Sequence, residues 1–350
     1  MIGGVPITIK DIATLSGVAI STVSRVLNNR PDVSDETRRK VMDIVGMHNY
    51  TQNANAKNLK QRNTNLATII VRGRQNSFLT DIAEKINEYG NNRKQKFLLD
   101  FIDEQADEFE TARQHIAERK VKGVIFLGSN PVNRRDEIAS LRLPCVFATV
   151  DTSALSLPSV SSVSVDNCQG AKGAIDYLID NGHRRIAVFG GDRTVEDGLG
   201  KRYQGVLMSF GEHGLTFDEF LYVECPFTMV RAYQAASRFL DANPKFTAVF
   251  AMSDTMAIGI MKALHDRGLR VPEDISVVGF DGIPLTRFTL PTLTTIAQPS
   301  DDIARESVSL MLRLFEDPND SEDMVVASML VAGDSVRCFN VRREFTGIVP

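Results

Sequence analysis

The sequence predicts a small all-α helix-turn-helix head followed by a longer α/β body. Three observations carry this expectation. Residues 8–28 read as two short helices joined at Gly17. Beyond residue 66, apolar strand runs alternate with amphipathic helices. Cations also concentrate at the amino end: residues 1–62 hold nine Lys and Arg against five Asp and Glu, a local charge of +4 in a chain whose net charge is −4. A basic head on an acidic body suits a head that meets phosphate and a body that does not.

The 350 residues suffice for two or three domains, and 43% hydrophobic with 24% charged residues is ordinary globular composition. No apolar run approaches the ~20 residues that span a bilayer, and no secretory signal is apparent. Cys145, Cys168, Cys225 and Cys338 lie far apart without metal-ligand spacing, which fits a reducing cytoplasm and predicts neither metal nor cofactor. No nucleophile–base pair, Walker loop or dinucleotide glycine motif is present; Gly190-Gly191-Asp192 lacks the Lys-Ser/Thr of a phosphate loop. The chain therefore reads as a binding protein. A sugar-modifying enzyme fused to a DNA-binding head, or an exported solute receptor, is the rival reading.

In the head, Thr8 is placed to cap the first helix, with Asp11 in the capping-box position. Ile9, Ile12, Ala13 and Leu15 are expected to form its apolar stripe, and Gly17 to take the positive φ of a helix end. Val18, Val23, Val26 and Leu27 should pack the second helix inward, leaving Ile20, Ser21, Ser24 and Arg25 outside. Ser34 opens a third helix with Asp35 and Glu36 in its first turn, running through Val41, Ile44 and Val45 towards Tyr50. Such a pattern also occurs in helical bundles that never touch DNA.

The run Thr8–Asn28, the Val33-Ser34 helix start and Tyr50 resemble the LacI/GalR family of bacterial transcription regulators. By that resemblance, Ile20 and Ser21 read base edges and Arg25 reads or braces bases. Thr22, Ser24 and Asn28 hold phosphates or pack beside them. A bidentate Arg25–guanine contact would contribute roughly 1–3 kcal/mol of discrimination. Ala19 stands where the family most often has serine, so weaker anchoring is expected there. Residues 51–65 form a polar hinge, with Asn53, Ala56, Lys57 and Leu59 at helical spacing. The resemblance implies that this hinge folds on the operator and that Leu59 wedges into the minor groove. Gln52 replaces the family's usual proline, which leaves the hinge start less firmly set. The DNA-facing set is thus Thr8, Ile20, Ser21, Thr22, Ser24, Arg25, Asn28, Lys57 and Leu59.

In the body, strands are expected at Leu66–Val71, Phe97–Ile102, Gly123–Gly128, Pro144–Val150, Arg185–Phe189, Phe246–Ala251 and Ile275–Phe280, and helices at Phe78–Arg93 and Glu108–Glu118. Repeated βα units imply parallel sheets whose ligands gather at the strands' carboxyl ends. Gly182-His183-Arg184-Arg185-Ile186, Arg202-Tyr203-Gln204-Gly205, Ser253-Asp254-Thr255-Met256-Ala257, the run Val271–Asp281 and Pro291–Ile296 extend the resemblance to the type I periplasmic-binding-protein-like body, two Rossmann-like lobes joined by three crossovers. The expected domains are a head at 1–50, a hinge at 51–65 and an effector body at 66–350. Within the body, the N-lobe covers about 66–163 plus 297–328 and the C-lobe about 164–296 plus 329–345.

Carried over by position, Arg202 and Asp281 are the main polar contacts to effector, able to grip vicinal hydroxyls; the plain alternative is an interlobe salt bridge. Phe227 matches a stacking aromatic or, equally, a core phenylalanine. Arg72, Phe78, Gly128, Thr149, Ser253 and Gln298 complete the expected effector set. Arg72 and Arg74 at a strand end suggest an effector bearing phosphate or carboxylate, unless Arg72 pairs with a local acid and Arg74 is solvated. The resemblance thus implies a cytoplasmic homodimeric repressor on pseudo-palindromic double-stranded operator DNA, released by a sugar or sugar phosphate. A nucleobase- or nucleoside-responsive regulator, or a corepressor-dependent one, is the alternative. Helices near 78–93 and 108–118 are the expected dimer surface.

Overall fold

The computed structural model describes residues 8–27, 30, 32–48, 65–74, 76–194 and 198–338. The chain divides into two compact units, residues 1–64 and 65–350.

The first unit contains α1 (Ile9–Ser16), α2 (Ile20–Leu27) and α3 (Asp35–Met47). Thr8 and Asp11 form the expected capping box: the Thr8 N–H donates to Asp11 Oδ2 at 2.8 Å, and the Asp11 N–H to Thr8 Oγ1 at 3.4 Å. Gly17 ends α1 at φ 63°, and the Val18 N–H closes back on the Ala13 carbonyl at 3.2 Å. Ile12, Ala13, Val23, Val26 and Val41 make the core. Leu15 does not join it and is 54% exposed. The inward face of α1 is Ile9, Ile12, Ala13 and Ser16, an i, i+3, i+4, i+7 set, and Leu15 stands outside that set.

The second unit carries two six-stranded sheets. The N-lobe sheet contains β1 (Leu66–Arg72), β2 (Lys96–Ile102), β3 (Val124–Leu127), β4 (Cys145–Ala148), β5 (Val160–Val165) and β11 (Asp323–Val326), in the order β2-β1-β3-β4-β5-β11. The C-lobe sheet contains β6 (Ile186–Gly190), β7 (Tyr222–Glu224), β8 (Ala248–Ala251), β9 (Ser276–Asp281), β10 (Thr294–Ala297) and β12 (Met329–Val331), in the order β7-β6-β8-β9-β10-β12. All pairings are parallel except β10 with β12. The chain passes between lobes after β5, after β10 and after β11, and only Ala327 and Ser328 separate β11 from β12.

Helices cover both faces of each sheet, as strands buried on both sides require. In the N-lobe these are α4 (Ser77–Asn92), α5 (Glu108–Arg119) and α6 (Arg135–Leu141), joined later by α11 (Ser300–Glu316). In the C-lobe they are α7 (Asn167–Asp180), α8 (Gly198–Glu212), α9 (Met229–Asp241) and α10 (Asp254–Asp266). Asn76, Asp107, Asp166 and Ser253 cap α4, α5, α7 and α10 through side-chain oxygens, so these helices start immediately beyond strand carboxyl ends. Strand order reverses beside β1 in one sheet and β6 in the other. The crevices at these switch points lie between Arg72 and Gly128, and between Gly190 and Met252.

Sequence reading missed β5, Val-Ser-Ser-Val-Ser-Val, although every residue in it is buried. Its serines look solvent-facing but are satisfied internally: Ser162 donates to Asp323, and Ser161 accepts the Glu322 N–H at 3.0 Å. On α4 the buried side is Phe78, Leu79, Ile82, Ala83 and Ile86, while Glu84, Asn87 and Glu88 are exposed.

Candidate nucleic-acid and effector sites

On α2, Val23 and Val26 are buried, which turns Ile20, Ser21 and Arg25 to solvent and leaves Thr22 and Ser24 half-buried. Small and branched side chains at the start of a short helix let its backbone approach a groove closely. At the start of this helix the Ala19 carbonyl accepts the Thr22 and Val23 N–H groups at 2.8 and 3.1 Å, and the Ala19 side chain offers no capping oxygen. Arg25 faces Asp32 at 3.4 Å with both groups more than half exposed, a weak pair that a base edge can replace. The Thr8 hydroxyl is already bonded to Asp11 at 2.6 Å, so its part is to hold α1 rather than to reach outward. Asn28, Lys57 and Leu59 lie outside the described residues.

In the body, the expected pair meets. Arg202 on α8 and Asp281 at the end of β9 are both buried, with Nη2 3.8 Å from Oδ1. The guanidinium lies 3.7 Å over the Phe280 ring, donates from Nε to Asn167 Oδ1 at 2.8 Å, and also donates to the Met252 carbonyl. Gln298 donates its amide to Asp281 Oδ1 at 2.8 Å. Asp281 sits at φ 120°, a conformation disfavoured for a residue with a side chain, and such strain collects at ligand sites. A second acid, Asp254, lies beneath. It accepts the Thr295 hydroxyl at 2.6 Å and the Gly282 and Ile283 N–H groups at 2.6 and 2.9 Å. Burial, and next the nearby Asp281, push the Asp254 carboxyl above the usual carboxylate range. Burial likewise raises Asp281, opposed by Arg202 and by the Gln298 hydrogen bond.

The other expected effector residues divide. Thr149, half-buried at φ 80°, directly follows β4 and donates its N–H to the Val163 carbonyl at 2.7 Å. Phe227 is half-buried and packs against both C-lobe cores. Gly128 takes φ 71°, and a Cβ there would lie 2.5 Å from Leu79 Cδ1 and 3.0 Å from the Arg72 carbonyl, so it acts by backbone fit. One expectation is corrected. Phe78 is 5% exposed inside the N-lobe core, because its place on α4 points it onto the sheet rather than into the crevice. The Ser253 hydroxyl accepts the Met256 N–H at 3.2 Å as the α10 cap, which leaves its proton to donate.

Both arginines at the end of β1 meet acids of their own lobe. Arg72 faces Glu108 at 3.8 Å and donates from Nε to the Glu104 carbonyl at 2.7 Å, while Arg74 pairs with Asp103 at 3.2 Å. The expected effector set lacked Asn167, Asp254, Phe280 and Glu108. Asp254 and Phe280 stood within motifs already singled out, but only their neighbours Ser253 and Asp281 were taken into the set. Among the described residues, Lys201 meets Asp151 at 3.4 Å and Ser77 meets Thr255 at 3.4 Å across the crevice, and Ile283 and Ile258 of the C-lobe pack against the N-lobe core. A cavity of about 660 Å³ opens at the opposite, amino ends of the C-lobe strands. Its arginines serve the fold, Arg184 bonding the Ile179 carbonyl at 2.6 Å and Arg267 the Ser237 carbonyl at 2.7 Å. Among the described residues, no group of His, Cys, Asp and Glu could hold a metal ion, and no helix is long and apolar enough to cross a membrane.

Comparison with known proteins agrees with this geometry. Residues 8–53 match the bacterial regulatory proteins of the lacI family, and residues 175–336 match the periplasmic binding protein-like domain. The HTH-type transcriptional regulator MalR of Clostridium butyricum is 35% identical over 347 residues, covering 95% of this chain and 99% of that protein. The HTH-type transcriptional repressor PurR of Vibrio vulnificus is 32% identical over 338 residues, 95% of this chain and 99% of its own. The solved complex of the transcriptional regulator CelR with cellobiose superposes with a TM-score of 0.69 at 28% identity, covering 94% of this chain and 99% of that one. With a helix-turn-helix head, a two-lobe body and relatives matched almost end to end, this chain belongs to the lacI family of DNA-binding transcriptional regulators.

Proposed function

We propose that this chain is a repressor of carbohydrate-use genes, working as a cytoplasmic homodimer on a pseudo-palindromic operator and released when a sugar enters the crevice between its lobes. It is read as a regulator and not an enzyme, in keeping with its relatives. The observation that carries the effector reading is the buried Arg202–Asp281–Gln298 cluster at the strands' carboxyl ends. A fork of donors opposite an acceptor carboxylate is the chemistry that holds adjacent hydroxyls. The likeness to the CelR–cellobiose complex supports the same class. A purine reading rests on the PurR relative and on Phe227, whose half-buried ring offers a stacking face.

Ligand binding on one side of the lobes and operator binding by the head would be coupled by the lobes' relative position, typically ~1–3 kcal/mol. The test is a thermal-shift screen of sugars, sugar phosphates and nucleobases, followed by operator binding with each hit. The expected result is a sugar that raises the melting temperature and weakens operator binding by about 5–150-fold. No preference for any duplex over random competitor at moderate salt, whatever the metabolite, overturns the regulator reading. Tighter operator binding with ligand overturns release in favour of corepression.

A further inference from the structure

Glu108 is a buried carboxylate at the crevice that nothing in the chain's helix-turn-helix or C-lobe signature explains. It is 3% exposed, at the first turn of α5. Its Oε1 accepts the Ser129 hydroxyl at 2.9 Å and the Asn130 N–H at 3.4 Å, which turns Oε2 towards Arg72 Nη1 at 3.8 Å. Arg72 ends β1 and Ser129 follows β3, so the pair sits at the N-lobe switch point, where ligands of such sheets bind. The Arg72 Nε is held by the Glu104 carbonyl, which aims the guanidinium's other edge at Glu108 and the crevice.

The separation of 3.8 Å is longer than a hydrogen bond and equals that of Arg202 and Asp281 in the C-lobe. Each lobe therefore presents an arginine in a long ion pair with a buried carboxylate. A hydroxyl satisfies both members at once: its oxygen accepts from the guanidinium while its proton goes to the carboxylate. A phosphate satisfies only the arginine, and it would set its charge against a carboxylate that water cannot screen. Arg74 does not offset that opposition, because it is paired with Asp103 in solvent.

We infer that Glu108 makes the crevice select an uncharged, polyhydroxylated effector and reject its phosphorylated counterpart, with Arg72 and Glu108 reading hydroxyls from the N-lobe side. This rests on the proposal above that the crevice takes the effector.

The experiment is calorimetric titration of the full chain with cellobiose, maltose and glucose, each compared with glucose 6-phosphate, and operator binding measured alongside. Three proteins are compared: the native chain, Glu108→Gln, and the double variant Arg72→Gln with Glu108→Gln. Gln keeps an acceptor for Ser129 and Asn130, and unchanged operator affinity without ligand confirms that the variants fold. The native chain is expected to bind a neutral sugar at least about tenfold more tightly than the phosphate. Glu108→Gln should move that ratio towards the phosphate by about tenfold, and the double variant should return it. A native chain that prefers the phosphate, or a ratio unmoved by Glu108→Gln, overturns the inference while leaving an effector-responsive regulator intact. If neither class binds the native chain, the inference and the sugar reading fall together; the native ratio alone decides should Glu108→Gln fail to fold.

Discussion

Asp254 holds the backbone on which Asp281 sits. Its Oδ2 accepts the two N–H groups that follow Asp281, those of Gly282 and Ile283, and its Oδ1 takes the Thr295 hydroxyl from the next strand. The positive φ of Asp281 persists because these bonds over-determine the turn. Asp254→Ala should therefore destabilise the body by about 2–4 kcal/mol, leaving buried donors unpaired, and also weaken effector binding. Denaturant unfolding and ligand titration of one variant measure both effects; a stability loss with unchanged ligand affinity would separate the two acids.

Asp281→Asn keeps an acceptor for Gln298 and removes the charge opposite Arg202. Effector affinity should fall by roughly 10–100-fold, with operator affinity in the absence of ligand within about twofold of native. Calorimetry and fluorescence anisotropy check the two halves. Wild-type ligand affinity in this variant would remove Asp281 from the site.

His183 gives a pH signature. It is buried, with Nδ1 2.9 Å from Thr247 Oγ1 and Nε2 3.2 Å from the Arg337 carbonyl, and burial lowers its pKa from 6.5 to about 4. The native imidazole stays neutral where the unfolded chain takes up a proton. Its stabilising contribution is complete above pH 6.5 and is lost as pH falls towards 4. Relative to His183→Gln, the native chain should lose on the order of 2 kcal/mol of stability across that window, allowing for partial solvent screening. Parallel pH profiles of the two proteins would refute this.

The head's helix starts are capped by short hydroxyl side chains, Thr8 on α1 and Ser34 on α3, the latter accepting the Thr37 N–H at 3.4 Å. Thr8→Ala and Ser34→Ala should each cost about 1 kcal/mol of head stability. Hydrogen exchange of head amides in the intact chain reads this directly, and operator affinity should fall in the same order.

Three large apolar side chains stand in solvent within six residues of one another: Leu285 is 46% exposed, Phe288 79% and Leu290 96%. By contrast, no large hydrophobic side chain of the described residues is exposed on α4 or α5, the helices expected to pair. The dimer should bury the Leu285–Leu290 turn. Leu290→Asp is expected to shift sedimentation towards the monomer and to reduce operator affinity; an unchanged dimer would return the interface to α4 and α5.

The head was legible residue by residue because a short helical bundle is written locally: cap, stripe, turn glycine. Leu15 misled, since in eight residues a stripe drawn one position wide admits a residue from the flank, and Ser24, expected outside, is half-buried. The long buried strands of the sheets were legible as apolar runs, and β5 was hidden because its burial depends on Asp323 and Glu322, about 160 residues away. The site was half legible. Arg202 and Asp281 stand in recognisable runs, and so do Asp254 and Phe280, but the contacts by which Asn167, Asp254 and Phe280 orient the pair act through distances no spacing encodes. Arg72 shows the limit most plainly: its charge is visible in the sequence, whereas the Glu108 that answers it comes from a helix 36 positions later.

The two-residue passage from β11 to β12 has a mechanical consequence. From Val326 to Met329 the backbone spans at most about 11 Å even when pulled taut. The other two passages are as short, Asp166 after β5 and Gln298-Pro299 after β10, so the halves of the body cannot drift apart. Opening must therefore be a swing shared by Asp166, Gln298-Pro299 and Ala327-Ser328, absorbed in a handful of torsion angles, and stiffening Ala327 and Ser328 with proline should slow the swing without touching either binding surface.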